Sequence, residues 1–273
     1  MSDQTKEDYV VDFIKRQGVE DVFLLPGGGC IHLIDSIGKS DINFVCNDYN
    51  LGYTSEINKA MKLGRGKYKL ILNPDTILKD KSIFRLVNFM KTNKEIGITG
   101  PKVLNEDGSF QKSCRRGLAR PSAVFCYFLG LAKLFPKNKN LTGYQLNHLD
   151  ENQINKVKGV SGSCMLIDQN VIKDIGYFDE KFFAYQEDSD YCLRAIEKGW
   201  AVYYNPNAIV YHKSGHGGSH SVPYLSIFEW HRSYYYYYLK HFSKEHSLLF
   251  NFFYISIMLY KLIFSEINFM LRK

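Results

Sequence analysis

YKLILNPDTILKDKSIFRLVNFMKTNKEIGITG, from Tyr68 to Gly100, sets the fold class of this chain. Lys69–Leu72 is a short apolar run of strand length, and it stops at Asn73-Pro74-Asp75 because proline cannot extend a hydrogen-bonded ladder. Asp80 then stands where a helix N-cap belongs, and Ile83, Leu86, Val87 and Met90 recur behind it at helical spacing. Ile96–Gly100 returns to a strand pattern. Strand, helix and strand in alternation predict an α/β fold with a doubly wound, mainly parallel sheet.

The same rhythm extends outward. Thr54–Leu63 reads as a helix with Ile57, Ala60 and Met61 on one face. A second helix follows Glu187, with Cys192, Ala195 and Ile196 turned inward, and Ile209–Tyr211 is a strand ending at His212. The first 46 residues read as helix, strand, helix, strand. Thr5 and Asp8 open a helix that closes near Gly18, Val22–Leu25 and Ile42–Cys46 are strands, and Pro26-Gly27-Gly28-Gly29 is a turn before a helix over Ile31–Ile37.

Composition narrows the partners. The 35 Lys and Arg exceed the 28 Asp and Glu, giving a net charge of +7, which suits an anionic ligand such as a nucleotide or a phosphorylated carrier. No basic helix or aromatic-basic sheet motif stands out, so nucleic acid is not the expected partner. The 6 cysteines are scattered with no C-x-x-C pair, which predicts free thiols rather than zinc or disulfides. The polar N-terminus MSDQTKEDY is unlike a secretory signal, and a cytoplasmic catalytic part is expected.

Two acidic clusters carry the chemistry. Asp75 lies just past the carboxyl end of a strand, where open α/β sheets place ligands, and its carboxylate suits Mg2+ or Mn2+ held against a diphosphate. A turn aspartate with no ligand is the plainer alternative. Glu187, Asp188 and Asp190 crowd the first turn of a helix. The helix dipole accounts for some of that acidity. Three carboxylates within four positions also suit a general base that removes a proton from an acceptor hydroxyl.

The phrases NLGYTSEINKAM, YKLILNPDT, GITGPKVLNEDGSFQKSCRR, VSGSCMLID, IGYFDEKFFAYQEDSDYCLR and GWAVYYNPNAIVYHKSGHGGS resemble, in order, a family 2 glycosyltransferase of the rhamnosyltransferase-like kind. The resemblance spans Asn50 to Ser219 and implies a GT-A fold, a nucleotide-sugar donor, a divalent metal and inverting transfer to a lipid-linked surface polysaccharide. By it, Asp75 is the metal-binding aspartate of a D-x-D-like motif, Asp188 the catalytic base with Glu187 beside it, and His212 a further metal ligand. Asn73 and Asp75 face the donor, and Arg115 and Arg116, after the turn Glu106-Asp107-Gly108, meet donor or acceptor phosphates. A structural histidine and a solvated basic loop remain open for His212 and the arginine pair.

DFIKRQGVEDVFLLPGGG and INFVC resemble instead the start of the pyrimidine-binding domain of thiamine-diphosphate enzymes of the acetolactate synthase type. The activating glutamate of that family has no counterpart directly after INFVC, where Asn47-Asp48-Tyr49-Asn50 follows, so thiamine diphosphate is not expected to bind. The segment also lacks the acidic nucleoside-gripping phrase of family 2, which predicts a weak hold on the donor. Two other readings stay open: an impaired fusion or truncated transferase, and a thiamine-diphosphate enzyme fragment.

The division expected is therefore 1–46, a transferase domain over 47–221, and an aromatic helical tail over 222–273. In that tail LLFNFFYISIMLYKLIF, from Leu248 to Phe264, is strongly apolar but is interrupted by Asn251 and Lys261. A span needs about 20 apolar residues. A helix lying in the interface, peripheral on the inner face of the cell membrane, fits better, with Lys261, Arg272 and Lys273 at headgroups.

Overall fold

The computed structural model describes residues 51–135, 137–139, 141–213 and 222–271, and the backbone of strands at 21–23 and 43–45. Those two strands, β1 (Asp21–Phe23) and β2 (Asn43–Val45), pair in parallel with Val22 opposite Phe44. The helices and the glycine turn expected within residues 1–46, and the end of the resemblance at residues 214–221, lie outside the described residues.

From residue 51 the order is α1 (Tyr53–Leu63), β3 (Tyr68–Leu72), β4 (Thr76–Leu78), α2 (Ser82–Thr92), β5 (Ile96–Leu104), β6 (Arg115–Arg116), α3 (Pro121–Phe128) and α4 (Leu131–Leu134). Next come β7 (Asn155–Lys156), β8 (Gly159–Val160), β9 (Cys164–Asp168), α5 (Gln169–Ile175), α6 (Glu187–Glu197), β10 (Ala201–His212), α7 (Pro223–His241) and α8 (Leu248–Leu271). The α/β class expected from the alternation is the one observed. Its main sheet, ordered β3-β9-β5-β10-β4 with β7 beside β10, is mixed rather than mainly parallel. β5 and β10 run parallel, whereas β3–β9, β5–β9, β10–β4 and β10–β7 are antiparallel. Periodicity gives a strand's existence but not its direction, and the antiparallel partner β9 comes from a stretch far down the chain.

The sheet carries helices on both faces. Along β9, Met165 and Ile167 join one buried cluster with Ile57 and Met61 of α1 and Cys192 and Ala195 of α6. The alternate residues Cys164 and Leu166 join another with Leu86 and Met90 of α2. This is the period-two alternation of a strand covered on each side. Each large side chain so buried contributes roughly 1.5–3 kcal/mol by leaving water. Asp80 does not cap α2: Lys81 fills the N-cap position with φ 60°, and no side chain caps that end. Ser82 instead ties α2 to β10, its hydroxyl donating to the Ile209 carbonyl at 2.8 Å and accepting from the Ile209 amide at 3.1 Å.

The tail divides in two. α7 is part of the folded core: Tyr234, Tyr237 and Tyr238 are buried with Ala119, Val124, Phe182 and Leu193. The tyrosine run therefore packs on the protein, one side of it, while Tyr235 on the other side stays exposed. α8 reaches Leu271, past the apolar run read from the sequence, and folds back on α7. Tyr254 meets the Tyr238 ring at 4.2 Å and Phe269 meets Tyr224 at 5.1 Å. Only Met258 of this helix is buried, and Phe252, Phe253, Leu259, Tyr260 and Phe264 are exposed. By length and composition α8 is able to cross a membrane.

Candidate active site

Two short loops and one helix start converge beyond the end of β3. The first loop, Asn73 to Asp75, is pinned by the Asn73 amide donating to the Ser163 carbonyl at 3.0 Å and by Thr76 Oγ1 donating to the Asn73 carbonyl at 2.6 Å. Antiparallel pairing of β4 with β10 sets Thr76 opposite His212, so the last residue of β10 arrives beside Asp75. Asp75 Oδ1 and His212 Nε2 lie 3.2 Å apart, with both side chains nearly buried. His212 Nδ1 lies 3.0 Å from Gln111 Oε1, which can only accept, so that nitrogen carries the proton and Nε2 is left as an acceptor or metal donor. Asp75 Oδ1 is buried yet receives no hydrogen bond among the described residues. An orphaned carboxylate oxygen beside an imidazole nitrogen in its ligating tautomer fits a divalent cation.

The second loop is Ser161-Gly162-Ser163, and the helix start is that of α6. Gly162 donates its amide to Asp188 Oδ2 at 2.9 Å, and the Arg116 guanidinium makes a short ion pair with the same oxygen. Burial alone would lower the pKa of Arg116, but the Asp188 charge reverses this and holds the guanidinium above its ordinary range. Among the described residues Asp188 Oδ1 accepts one hydrogen bond, from the Ser189 hydroxyl at 3.3 Å. Glu187 is buried with its Oε2 unpartnered among the described residues, and burial together with the Asp188 charge pushes its pKa up to about 8. Burial and the neighbouring carboxylate thus favour the protonated form of Glu187, beside an Asp188 that is ion-paired with Arg116.

Tyr53 joins the two halves. Its hydroxyl lies 3.0 Å from Asn73 Oδ1 and 3.2 Å from the Gly162 carbonyl, and can donate to either. Burial, then the charges of Glu187, Asp188 and Asp75, raise its pKa well above that of an ordinary phenol, so all three carboxylates surround it. Gly162 fills the remaining space. A β-carbon there would stand 3.5 Å from Glu187 Oε1, 3.5 Å from the Tyr53 hydroxyl and 3.7 Å from the Asp188 β-carbon. Tyr53 itself is delivered by Gly52, whose φ of 91° and contact with the Phe183 ring exclude a side chain.

The fold thus brings Asn73, Asp75, Arg116, Glu187, Asp188 and His212 together. It sends Arg115 elsewhere: its guanidinium is buried over the rings of Tyr204 and Phe110 and donates to the carbonyls of Leu149 at 2.6 Å and Asp150 at 2.8 Å. Adjacent residues of a strand face opposite ways, which splits the arginine pair. Asp190 is also turned away, toward α7. Lys240 Nζ and His241 Nε2 each lie 2.7 Å from its Oδ1, and Arg194 Nε lies 2.8 Å from its Oδ2. Sequence reasoning did not single out Tyr53, Gln111 or Gly162, although each sits inside a quoted phrase.

Residues 33–222 match the glycosyltransferase-like family 2. The matched stretch begins within the first 46 residues. Among curated proteins, the chain is 30% identical over 179 residues to an N-acetylglucosaminyl-diphospho-decaprenol L-rhamnosyltransferase of Mycobacterium tuberculosis, covering 61% of this chain and 57% of that protein. It is 24% identical to a low-salt glycan biosynthesis hexosyltransferase of Haloferax volcanii, covering 70% and 58%. It is 22% identical to a poly-beta-1,6-N-acetyl-D-glucosamine synthase of Staphylococcus epidermidis, covering 62% and 36%. The chain thus spans little more than half the length of the first two relatives. A solved structure of GalNAc-T7 with UDP, GalNAc and Mn2+ aligns with a TM-score of 0.49 at 14% identity, covering 72% of this chain and 38% of that one.

Proposed function

The chain belongs to glycosyltransferase family 2, and on that premise we propose that it moves a rhamnose-like or other hexosyl unit from a nucleotide sugar to a lipid-linked glycan, with inversion, on a GT-A-like scaffold. What carries this reading is the cluster around Tyr53, whose hydroxyl bridges the Asn73 loop, beside the metal-suited pair Asp75 and His212, and the Gly162 loop that holds Asp188, with Glu187 alongside. The mycobacterial relative, a diphospho-decaprenol rhamnosyltransferase, supports a lipid-diphosphate-linked acceptor, and the exposed apolar face of α8 supports work at the inner face of the cell membrane.

Asp75 and His212 would hold Mg2+ or Mn2+, which supplies positive charge against the donor diphosphate. Asn73, fixed by Tyr53, lines the same loop and orients the donor. Asp188, held at Oδ2 by Arg116 and Gly162, presents Oδ1 to the acceptor hydroxyl and takes its proton as that oxygen attacks the anomeric carbon. The bond to the diphosphate breaks on the opposite face, giving inversion. Glu187, whose burial favours the protonated form, would compete little for that proton.

Calorimetry of nucleotide diphosphate binding tests the metal half. Binding by the wild type should require Mn2+ or Mg2+, Asp75→Asn should abolish that requirement along with most of the affinity, and His212→Ala should weaken it less. Unchanged metal-dependent binding in Asp75→Asn removes the ligand assignment.

A further inference from the structure

One cavity of about 450 Å³ opens where α3, α7 and α8 meet, and the transfer chemistry above does not use it. Phe128, Trp230, His231 and Lys261 line it, and Tyr185, just before α6, closes its inner side. Lys261 is an odd residue for this position. It lies on the stripe of α8 that faces α7, with its ammonium 4.1 Å from the centre of the Phe128 ring and 4.4 Å from that of Trp230. Among the described residues no carboxylate pairs with it. Its polar contact is His231 Nε2 at 3.2 Å. The Ile227 carbonyl, 2.7 Å from His231 Nδ1, can only accept, so the imidazole donates there and Nε2 accepts from the ammonium.

A lysine ammonium has three protons, and this one gives a single proton to the imidazole. Two aromatic faces compensate its charge in part. The rest of the positive charge has no acidic partner among the described residues, and it borders an open cavity with aromatic walls. A small anion would satisfy the charge but not the walls, and a neutral lipid the walls but not the charge. The complementary ligand is an amphiphile with a phosphoryl group next to its hydrocarbon. Location selects among amphiphiles. Tyr185 is three residues from Asp188, so their α-carbons are at most about 11 Å apart along the chain. Lys261 and Ser265 of α8 line the cavity, and the neighbouring Tyr260 and Phe264 of that helix are exposed.

We propose that this cavity, with Lys261 as its cation, binds the lipid-borne diphosphate of the glycan acceptor and so sets the acceptor hydroxyl toward Asp188. This deepens the proposed transfer and rests on it for the identity of the acceptor, while its test needs neither donor nor turnover.

The intact chain is incubated with phosphatidylcholine vesicles alone, with added phosphatidylglycerol, or with added polyprenyl diphosphate at matched charge. The wild type should prefer the polyprenyl diphosphate vesicles to the phosphatidylglycerol ones by about tenfold. Lys261→Met, which keeps the aliphatic stem, should lose that preference but retain binding to neutral vesicles, and Lys261→Arg should keep it. Lys261→Gln serves as a second uncharged variant, with melting curves reporting that each protein is folded. Equal binding to both charged vesicles, or a preference that survives in the folded Met and Gln variants, overturns the proposal. So does loss of the preference at millimolar inorganic phosphate, which would mark a site for the free ion. Binding of the diphosphate lipid by the wild type needs neither nucleotide nor metal. If the transfer reading fails, that binding remains; if the cavity assignment fails, metal-dependent nucleotide binding remains.

Discussion

The proposed function gives Asp188 a second role beside its ion pair, and a pair of substitutions separates the two. In the fold it pairs with Arg116, with side-chain exposures of 9% and 12%. As the proposed base, it would accept the acceptor proton. Asp188→Asn removes both functions but keeps an amide oxygen for the Gly162 amide. Stranding a buried guanidinium costs about 3–5 kcal/mol, which for a chain of this size lowers the melting temperature by roughly 6–20 °C at about 2–4 °C per kcal/mol. Loss of the base costs about 100- to 10,000-fold in turnover, or roughly 3–5 kcal/mol at 1.36 kcal/mol per decade. Arg116→Met added to Asp188→Asn removes the stranded charge. The double variant should regain most of the melting temperature and none of the turnover, measured as sugar incorporated into lipid-linked acceptor. If turnover returns with stability, to within a few-fold of wild type, Asp188 is a structural counter-ion and Glu187 becomes the candidate base.

Three further outcomes are expected. The raised pKa of Glu187, about 8, means the folded chain binds a proton that the unfolded chain has lost between the ordinary glutamate range and pH 8, so stability should fall as pH rises through that window. Glu187→Gln should flatten that slope and stabilise the protein above pH 8; parallel chemical-denaturation curves against pH would contradict this. Burial alone would raise the pKa of Asp190, but hydrogen bonds from His241 and Lys240 and the Arg194 charge hold it below the usual aspartate value. Its contribution is therefore present above the ordinary carboxylate range and lost as pH falls through the lower folded value. Asp190→Asn should lower the melting temperature markedly at pH 7 and much less at pH 3, and an equal loss at both would sink the argument. Ending the chain before Ser247 should leave a folded, more soluble protein that no longer sediments with anionic vesicles, whereas aggregation of the truncated protein would show that α8 shields α7.

The parts of the site that were legible in the sequence are those where residue type alone restricts the chemistry. Asp75 follows a strand and a proline, and Glu187 and Asp188 open a helix, so position and charge both point to the same place. Arg115 and Arg116 could not be told apart, because their opposite fates follow from which side of β6 faces the core. Asp190 shares its helix turn with Glu187 and Asp188, yet its partners Lys240 and His241 lie fifty residues later in α7. Tyr53 acts through its hydroxyl contacts and Gly162 through its backbone amide and carbonyl, neither of which leaves a periodic trace. The direction of β9 was invisible for the same reason. Alternation identifies a strand, but only its neighbours fix its sense.

β10 invites a different consideration, that of tolerance to length. Its pairing with β5 runs in register from Val202 opposite Ile98 to Asn205 opposite Pro101, then resumes at Ile209 opposite Lys102. Pro206, Asn207 and Ala208 are slack in an otherwise taut ladder. One residue added within that slack changes a bulge that already exists and leaves the downstream register alone. One residue added after Ile209 has nowhere to be absorbed: a strand turns over with each step, and His212 would move to the far side of the sheet, away from Asp75. Two insertions a few positions apart in the same strand should therefore part company, one leaving metal-dependent nucleotide binding intact and the other erasing it in a protein that still folds.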